Sequence, residues 1–229
     1  MEHHRPFDKG LDDLKKKLMH MAALAEGMID GAVGELVMND ARLAERVPQQ
    51  EHDLNRLQIE VDEAVMTLLA TQQPVAGDLR FLLAATRINS DLERIGDLAI
   101  NITQNVQVLL HVPPLKPLVD IPRMAEVARR MVRESLDAFV ARDPVHAQAV
   151  IMRDDEVDAL KDQVVRELLT YMIADPSAIE RALALILVAR HLERIADHAT
   201  NIAQDVIYMI QGRDVRHPRE QDMIPAETT

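Results

Sequence analysis

Residues 191–206 read HLERIADHATNIAQDV, and residues 91–106 read DLERIGDLAINITQNV. Ten of the sixteen aligned positions are identical, whereas unrelated segments of ordinary composition would share about one. The chain therefore carries the same segment twice, in the same order of charged, polar and apolar residues. This recurrence indicates an internal duplication, and the rest of the sequence shows what is duplicated.

The composition predicts an all-α fold. Aromatic residues make up only 2% of the 229 residues and there is no Trp, while Ala, Leu, Val, Ile and Met are abundant. This mixture favours helices packed through aliphatic side chains over sheets, which use aromatic and β-branched residues. The absence of Cys excludes disulfides, thiolate metal sites and thiol catalysis. It also fits a reducing cytoplasm.

Charge and hydropathy exclude two classes of partner. A net charge of −12 argues against a general electrostatic attraction to nucleic acid or to anionic lipid. The N-terminal residues lack the apolar core of a signal peptide, and the most apolar run, at 182–189, is too short to cross a bilayer. We expect a soluble, cytoplasmic protein, peripheral to the inner membrane only through protein partners.

Turn signals and helix breakers divide the chain into six long helical segments. These breaks between the segments lie at residues 38–42, 71–78, 111–122, 142–144 and 174–178, and the central break contains four prolines. Two sets of three helices indicate two tandem three-helix bundles. We place them at residues 7–111 and 118–212, followed by a polar tail at 213–229 that we expect to be disordered.

Further residues refine this division of the chain. Asn39 or Asp40 is available to cap the second segment. Pro48 is expected to end a short first turn of that segment or to kink it. In the first helix, Gly27, Gly31 and Gly34 are expected to permit close approach of a neighbouring helix.

Each repeated helix carries an apolar stripe with alternating spacings of four and three residues, as expected for a seam packed against long partner helices. The first stripe is Ile88, Leu92, Ile95, Ala99, Ile102, Val106 and Leu109. The second is Val188, Leu192, Ile195, Ala199, Ile202, Val206 and Met209.

The repeated helices also carry paired acids opposite these stripes. Glu93 and Asp97 share one face of the first helix, and Glu193 and Asp197 share the matching face of the second. An acidic residue opposite an apolar seam is ordinarily just solvated. However, like charges four residues apart destabilise a helix by about 0.2–0.5 kcal/mol. The recurrence of this unfavourable pair therefore favours a binding role.

A further acidic face precedes the second repeated helix. Asp155, Asp158 and Asp162 point away from the apolar stripe of their own segment. If this segment is an antiparallel neighbour of the repeated helix, its acids converge with Glu193 and Asp197. Such an all-oxygen cluster suits hard cations (Mg²⁺, Mn²⁺, Ca²⁺ or iron) and not zinc or copper.

With these motifs in view, the sequence resembles the PhoU family of bacterial phosphate-transport accessory and regulatory proteins. The resemblance runs from residue 7 to about residue 211 and is most specific at DLERIGDLAINI and HLERIADHATNI. It implies two bundles related by a pseudo-two-fold axis, with multinuclear metal clusters on their acidic faces. It also implies a cytoplasmic protein, often a homodimer, that links the ATPase of the Pst phosphate transporter to the PhoR sensor kinase. Such proteins repress the phosphate-starvation response when phosphate is plentiful.

The same resemblance supplies a set of candidate ligands for divalent or trivalent metal ions, of which Mg, Mn and Fe are expected. These are Glu93, Asp97, Asp155, Asp158, Glu193 and Asp197. The segment that corresponds to Asp155–Asp158 in the first half is HDLN, so that His52 and Asn55 stand where the family has acids. We therefore expect the first site to bind fewer ions or to bind them more weakly.

Two other classes of function stay open. A metal-dependent helical-bundle enzyme would carry inward-facing E-x-x-H motifs, and neither repeated helix contains one. The chain also lacks a phosphate-cradling Gly-rich loop and a nucleophile elbow. A histidine phosphotransfer module would need His191 or His198 to be phosphorylated, and the first copy has Asp91 and Leu98 there. A non-enzymatic regulator is the preferred interpretation.

Overall fold

A computed structural model of the protein describes residues 6–110 and 112–216. Of these residues 86% are helical, and there is no strand among them. The expectation of an all-α fold is therefore confirmed. The part of the predicted tail at residues 217–229 lies outside the described residues.

Seven helices and two short 3₁₀ turns occupy the described ranges. The helices are α1 (Pro6–Met38), α2 (Val47–Gln72), α3 (Ala76–Gln107), α4 (Asp120–Ala141), α5 (Pro144–Ile151), α6 (Asp154–Ala174) and α7 (Ile179–Gln211). The 3₁₀ turns are Ala41–Leu43 and Pro176–Ala178. None of the described helices is long and apolar enough to cross a membrane.

The fifth predicted segment is wrong as a single helix, since it is divided into α5 and α6 at Met152 and Arg153. Three consecutive acids, Asp154, Asp155 and Glu156, open α6. Acidic side chains are favourable at the positive end of the helix dipole, so this run supports a new helix start.

Helices α1–α3 form one bundle, and α4–α7 form the second, in which α5 and α6 together take the place of one helix. The stripes predicted on α3 and α7 are buried, with Leu109 partly buried at the end of its stripe. The two bundles also pack on each other, chiefly through α3 against α7 and also through α1 against α4. A single apolar core therefore runs through both bundles.

Three polar contacts show that α3 and α7 are antiparallel. Arg80 Nε donates to the carbonyl of Met209 (3.2 Å). Further along α3, Arg87 Nη1 donates to Asp205 Oδ1 (2.9 Å). The third contact joins Asp91 Oδ1 to His198 Nδ1 (2.8 Å). As residue numbers increase along α3, those of the contacting residues on α7 decrease. This is the relation that a two-fold axis perpendicular to the two repeated helices requires.

The ends of α1 and α4 repeat the same local structure. Each helix is followed by a residue with positive φ, Asn39 (50°) or Arg142 (53°). An aspartate then caps the next element, as Asp40 accepts from the Arg42 N–H and Asp143 accepts from the N–H groups of Val145 and His146. Asp40 therefore caps the 3₁₀ turn and not α2, which follows Arg46 without a side-chain cap. In this part of the repeat, matching positions are 103 residues apart.

Two sequence expectations concern the connection between α1 and α2. A short turn, Ala41–Leu43, does precede α2, but Pro48 neither ends that turn nor kinks the helix. It lies in the first turn of α2, where its missing N–H leaves no helical hydrogen bond unmade. A Cβ on Gly31 would lie 3.0 Å from the carbonyl oxygen of Leu43. Gly31 therefore permits the close approach of the 3₁₀ turn to α1.

Candidate functional site

Acidic side chains of α6 and α7 converge in the second bundle. The pKa values of Glu193 and Asp197 are both raised, first by burial and then by neighbouring carboxylates, Asp158 among them. Asp158 lies on α6, so the effect of its charge on these two pKa values shows that acids from the two helices face each other. The structure thus brings Asp158 close to the E-x-x-x-D pair of α7.

Asp154 is a member of this cluster that the sequence analysis missed. Its pKa is raised to about 6, chiefly by burial and then by the charges of Asp197 and Asp158, while the nearby Thr200 hydroxyl acts in the opposite direction. Asp154 and Asp158 are four residues apart, the spacing of the acids on α7. That spacing was the available signal. We call Asp154, Asp158, Glu193 and Asp197 the second acidic cluster.

Asp155 differs from Asp158 in the acids that its charge affects. Both residues are exposed, and the charge of Asp155 acts on its neighbour Asp154. The charge of Asp155 is not among the main influences on the pKa of Glu193 or of Asp197. The structure therefore places the predicted ligand Asp155 at the edge of the second acidic cluster.

One lysine lies within reach of this cluster. Lys161 Nζ is 3.0 Å from Asp162 Oδ1, 3.9 Å from Glu193 Oε1 and 4.0 Å from Asp158 Oδ1. Asp162, which the sequence analysis also assigned to this face, is its nearest partner. The ammonium group of Lys161 thus offsets part of the repulsion among the acids.

The first bundle repeats this arrangement with fewer acids. Arg94 lies between the predicted ligands, with Nε 3.5 Å from Glu93 Oε2 and Nη1 3.3 Å from Asp97 Oδ2. The pKa of Glu93 is raised by burial and then by Asp97, with a further contribution from Glu51. We call Glu51, Glu93 and Asp97 the first acidic cluster.

Glu51 is the second acid that the sequence analysis missed. In the 103-residue register of the repeat it matches Asp154, while Asn55 matches Asp158. Asn55 Nδ2 donates to Glu51 Oε1 (3.3 Å), so the amide supports the one acid that α2 contributes. His52 is exposed. The first cluster therefore has three carboxylates, one fewer than the second.

The glutamates are more buried than the sequence analysis expected. Opposite an apolar stripe they were placed on an outward face, but the side chains of Glu93 and Glu193 are only 20% and 23% exposed. The physical reason is that α2 and α6 pack beside α3 and α7 and cover part of that face. The two glutamates accordingly lie in grooves between helices.

His198 connects the two clusters. Its Nδ1 pairs with Asp91 across the contact of α3 with α7, and its charge favours ionisation of both Glu93 and Asp197, which lowers their pKa values. The acids of the two halves therefore flank one helix crossing.

His191 occupies the position in the repeat that matches Asp91. Its Nδ1 is buried without a hydrogen-bond partner among the described residues. Burial lowers the pKa of His191, as do the charges of Arg194 and Arg190. Its imidazole is therefore neutral at pH 7.

The donor chemistry of both clusters fits a hard cation. Carboxylates are the ligands that Mg²⁺, Mn²⁺ and iron prefer, and the raised pKa values show that the oxygens are close enough to repel one another. As they stand, no three His, Asp or Glu side chains within residues 6–110 and 112–216 are arranged to hold an ion. Binding would therefore require the carboxylates of a cluster to change their side-chain conformations and converge on the ion.

We expect Asp154→Asn to stabilise the metal-free protein above pH 6. The pKa of Asp154 is raised in the folded state, so its unfavourable contribution grows as pH rises from about 4 to about 6 and is complete above that. After allowance for solvent screening of a half-exposed group, the gain is about 1 kcal/mol. Urea unfolding in chelator at pH 4 and pH 7.5 measures it.

The adjacent Asp155→Asn is the matched control for this prediction. It removes the same charge from the same helix turn but from an exposed position, so its effect should stay within about 0.5 kcal/mol. An equal effect of the two substitutions at pH 7.5 would contradict the assignment of Asp154 to the cluster.

Comparison with known proteins assigns the chain to a family. The family described as the PhoU domain matches residues 18–106 and again 121–206. The chain is 42% identical over 209 residues to a phosphate-specific transport system accessory protein PhoU homolog of Aquifex aeolicus, covering 91% of this chain and 95% of that protein. It is 37% identical to the protein of the same description from Pseudomonas aeruginosa, covering 95% and 91%.

Solved structures agree with this assignment. The crystal structure of PhoU from Pseudomonas aeruginosa superposes with a TM-score of 0.86 at 37% identity, covering 90% of this chain and 100% of that one. The phosphate transport system regulatory protein PhoU from Streptococcus pneumoniae gives 0.82 at 25% identity, with coverages of 91% and 99%. The match of both repeats, and the relatives aligned over nearly their whole length, show that this chain belongs to the PhoU family.

Proposed function

We propose that the protein is a non-enzymatic, metal-binding regulator of phosphate uptake and phosphate-starvation signalling. Its partners are the ATPase of the Pst transporter and the PhoR sensor kinase. The observation that carries this proposal is family membership over the whole chain, together with relatives named as accessory proteins of the phosphate-specific transport system. We further propose that it works in the cytoplasm as a homodimer.

The histidine contacts support a binding role over phosphotransfer. A phosphorylated histidine must present a free ring nitrogen to a partner kinase. His198 uses Nδ1 in its contact with Asp91 and is only 18% exposed, and His191 buries its Nδ1. Each ring has only Nε2 left to offer, from a partly buried position, whereas a phosphotransfer module exposes its histidine.

The acidic clusters support cation binding as the molecular basis of regulation. Asp154, Asp158, Glu193 and Asp197 would hold an ion in the second bundle, and Glu51, Glu93 and Asp97 in the first. A bound ion supplies positive charge that relieves the mutual repulsion of these carboxylates. Because each cluster draws on two helices, binding would tie α6 to α7, and α2 to α3.

Deletion of the gene tests the regulatory role. We expect phosphate-starvation genes to be expressed at high phosphate in the deletion strain, and repression to return with a plasmid copy of the wild-type gene. The physical reason is that a protein acting between transporter and kinase passes on the signal that phosphate is abundant. Normal repression in the deletion strain would contradict the proposal.

The two clusters should differ in the metal they hold. We expect the double change Glu193→Gln and Asp197→Asn to remove more metal than Glu93→Gln and Asp97→Asn, because the second cluster has four carboxylates and the first three. Each double variant changes the net charge equally, so each is the control for the other. Elemental analysis of the folded variants measures the loss. Equal loss, or greater loss from the first cluster, would show that carboxylate number does not set occupancy.

The lysine beside the second cluster should compete with metal. We expect Lys161→Met to increase Mn²⁺ affinity several-fold, because it removes an ammonium that lies 3.9 Å from Glu193 Oε1 while keeping an unbranched side chain. Titration calorimetry measures the affinity. The control is Lys16→Met, which removes an exposed charge from α1. Equal affinity in both variants would exclude competition by Lys161.

A further inference from the structure

A cleft opens at one end of the first bundle, away from both acidic clusters. It lies where the end of α1, the 3₁₀ turn Ala41–Leu43, the start of α2 and the end of α3 meet, and its volume is about 410 Å³. Its polar lining consists of Glu35, Glu45, Thr103 and Gln107. A volume of this size is in the range of small-ligand sites.

Glu35 is the unusual residue of this cleft. It is only 2% exposed, and its Oε2 has no hydrogen-bond partner among the described residues. Burial raises the pKa of its carboxyl group. Buried polar atoms in proteins are nearly always hydrogen-bonded, and an unpaired one destabilises the fold. A carboxyl group kept in this state points to a partner that is supplied from outside.

The second half of the repeat shows that the fold does not need a polar group here. The 103-residue register set by Asn39 and Arg142 matches Glu35 with Ala138, which is fully buried. The 100-residue register of α3 and α7 matches Thr103 with Ala203 and Gln107 with Ile207. Both of these residues are buried. The same place in the second bundle is therefore apolar.

The two halves also differ in what covers this place. In the second bundle the residues after α4 form α5, a helix of two turns that packs against α7. In the first bundle only the short turn Ala41–Leu43 follows α1, and that turn packs chiefly on α1. The end of α3 is thus left open, and Thr103 and Gln107 face the cleft.

Three of the four polar groups around the cleft act as acceptors of hydrogen bonds, while the Gln107 amide at the exposed edge can donate or accept. Glu35 lies inside and Glu45 at the exposed rim. The Thr103 hydroxyl already donates to the Ala99 carbonyl (3.2 Å), so that it can only accept a further hydrogen bond. The walls between them are apolar and include Ala44 and Pro48. Two carboxyl groups and apolar walls suit a cationic donor on an aliphatic stem.

We propose that this cleft binds an ammonium or guanidinium group carried on an aliphatic stem, with Glu35 as its buried partner. The cation satisfies Oε2 of Glu35, and the stem covers the apolar walls. Such a group is found in free alkylamines and in the lysine and arginine side chains of proteins. The site is confined to the first bundle, because the second has Ala138 in place of the carboxylate.

The test uses agmatine, which carries an ammonium and a guanidinium group on a four-carbon stem. Titration into the full-length ¹⁵N-labelled protein at pH 7.5 should give saturable shifts of the backbone amides of Ala41, Ala44 and Thr103. The matching residues Ala147 and Ala203 in the second bundle should not shift. No saturable shift at the cleft would overturn the proposal.

Glu35→Gln should weaken agmatine binding at least tenfold. The amide keeps the shape of the side chain and is easier to bury than a carboxylate, so the variant should fold and be at least as stable as the wild type. Glu180→Gln removes one exposed acid at the start of α7 and should leave the affinity unchanged. Equal affinity of Glu35→Gln and wild type would show general attraction to an acidic protein and would overturn the assignment.

A second arm identifies the source of the cationic group. A hexa-arginine peptide that displaces agmatine from the wild type, and does not bind Glu35→Gln, supports a protein partner. A peptide that does not displace agmatine supports a free small molecule. Equally strong binding of the peptide to wild type and Glu35→Gln would place the peptide elsewhere and would contradict a shared site.

Discussion

The antiparallel packing of α3 against α7 determines how both halves of the molecule are arranged. Each repeated helix has one face in its own bundle and a second against the other repeated helix. With 3.6 residues per turn, the remaining sector lies beside α2 or α6, and the E-x-x-x-D pairs occupy it. Asp91 and His198 join the helices near the centre of this contact. Duplication of one helix therefore places two acidic clusters around one crossing.

This arrangement keeps like charges close together, which works against stability. The raised pKa values of Asp154, Glu193 and Asp197 express both their burial and their mutual repulsion. Lys161 and Arg94 offset part of the repulsion, and both are side chains that can move away. Carboxylates with shifted pKa values, contributed by several helices, are typical of binding sites. The proposed binding of a cation would relieve this repulsion.

The sequence predicts the fold well, because the stripes on α3 and α7 follow from helical periodicity and the repeat is explicit. It misses Asp154 and Glu51 because both lie one residue before the segments that the resemblance matches, HDLN and Asp155–Asp158. The four-residue spacing of Asp154 and Asp158, which repeats that of the acids on α7, was the signal for this pair. The burial of Glu93 depends on the position of α2, which periodicity does not give. Glu35 lies in a helix next to apolar residues, and its burial is visible only in the structure.

The central claim is that the Asp91–His198 contact couples the two halves at the crossing. A double-mutant cycle of Asp91→Asn and His198→Gln, measured by urea unfolding at pH 6 in chelator, tests it most directly. The account predicts a coupling free energy of about 1 kcal/mol, as for a partly buried hydrogen bond to a charged group. Additive effects of the two substitutions would mean that the residues do not interact, and would contradict the account.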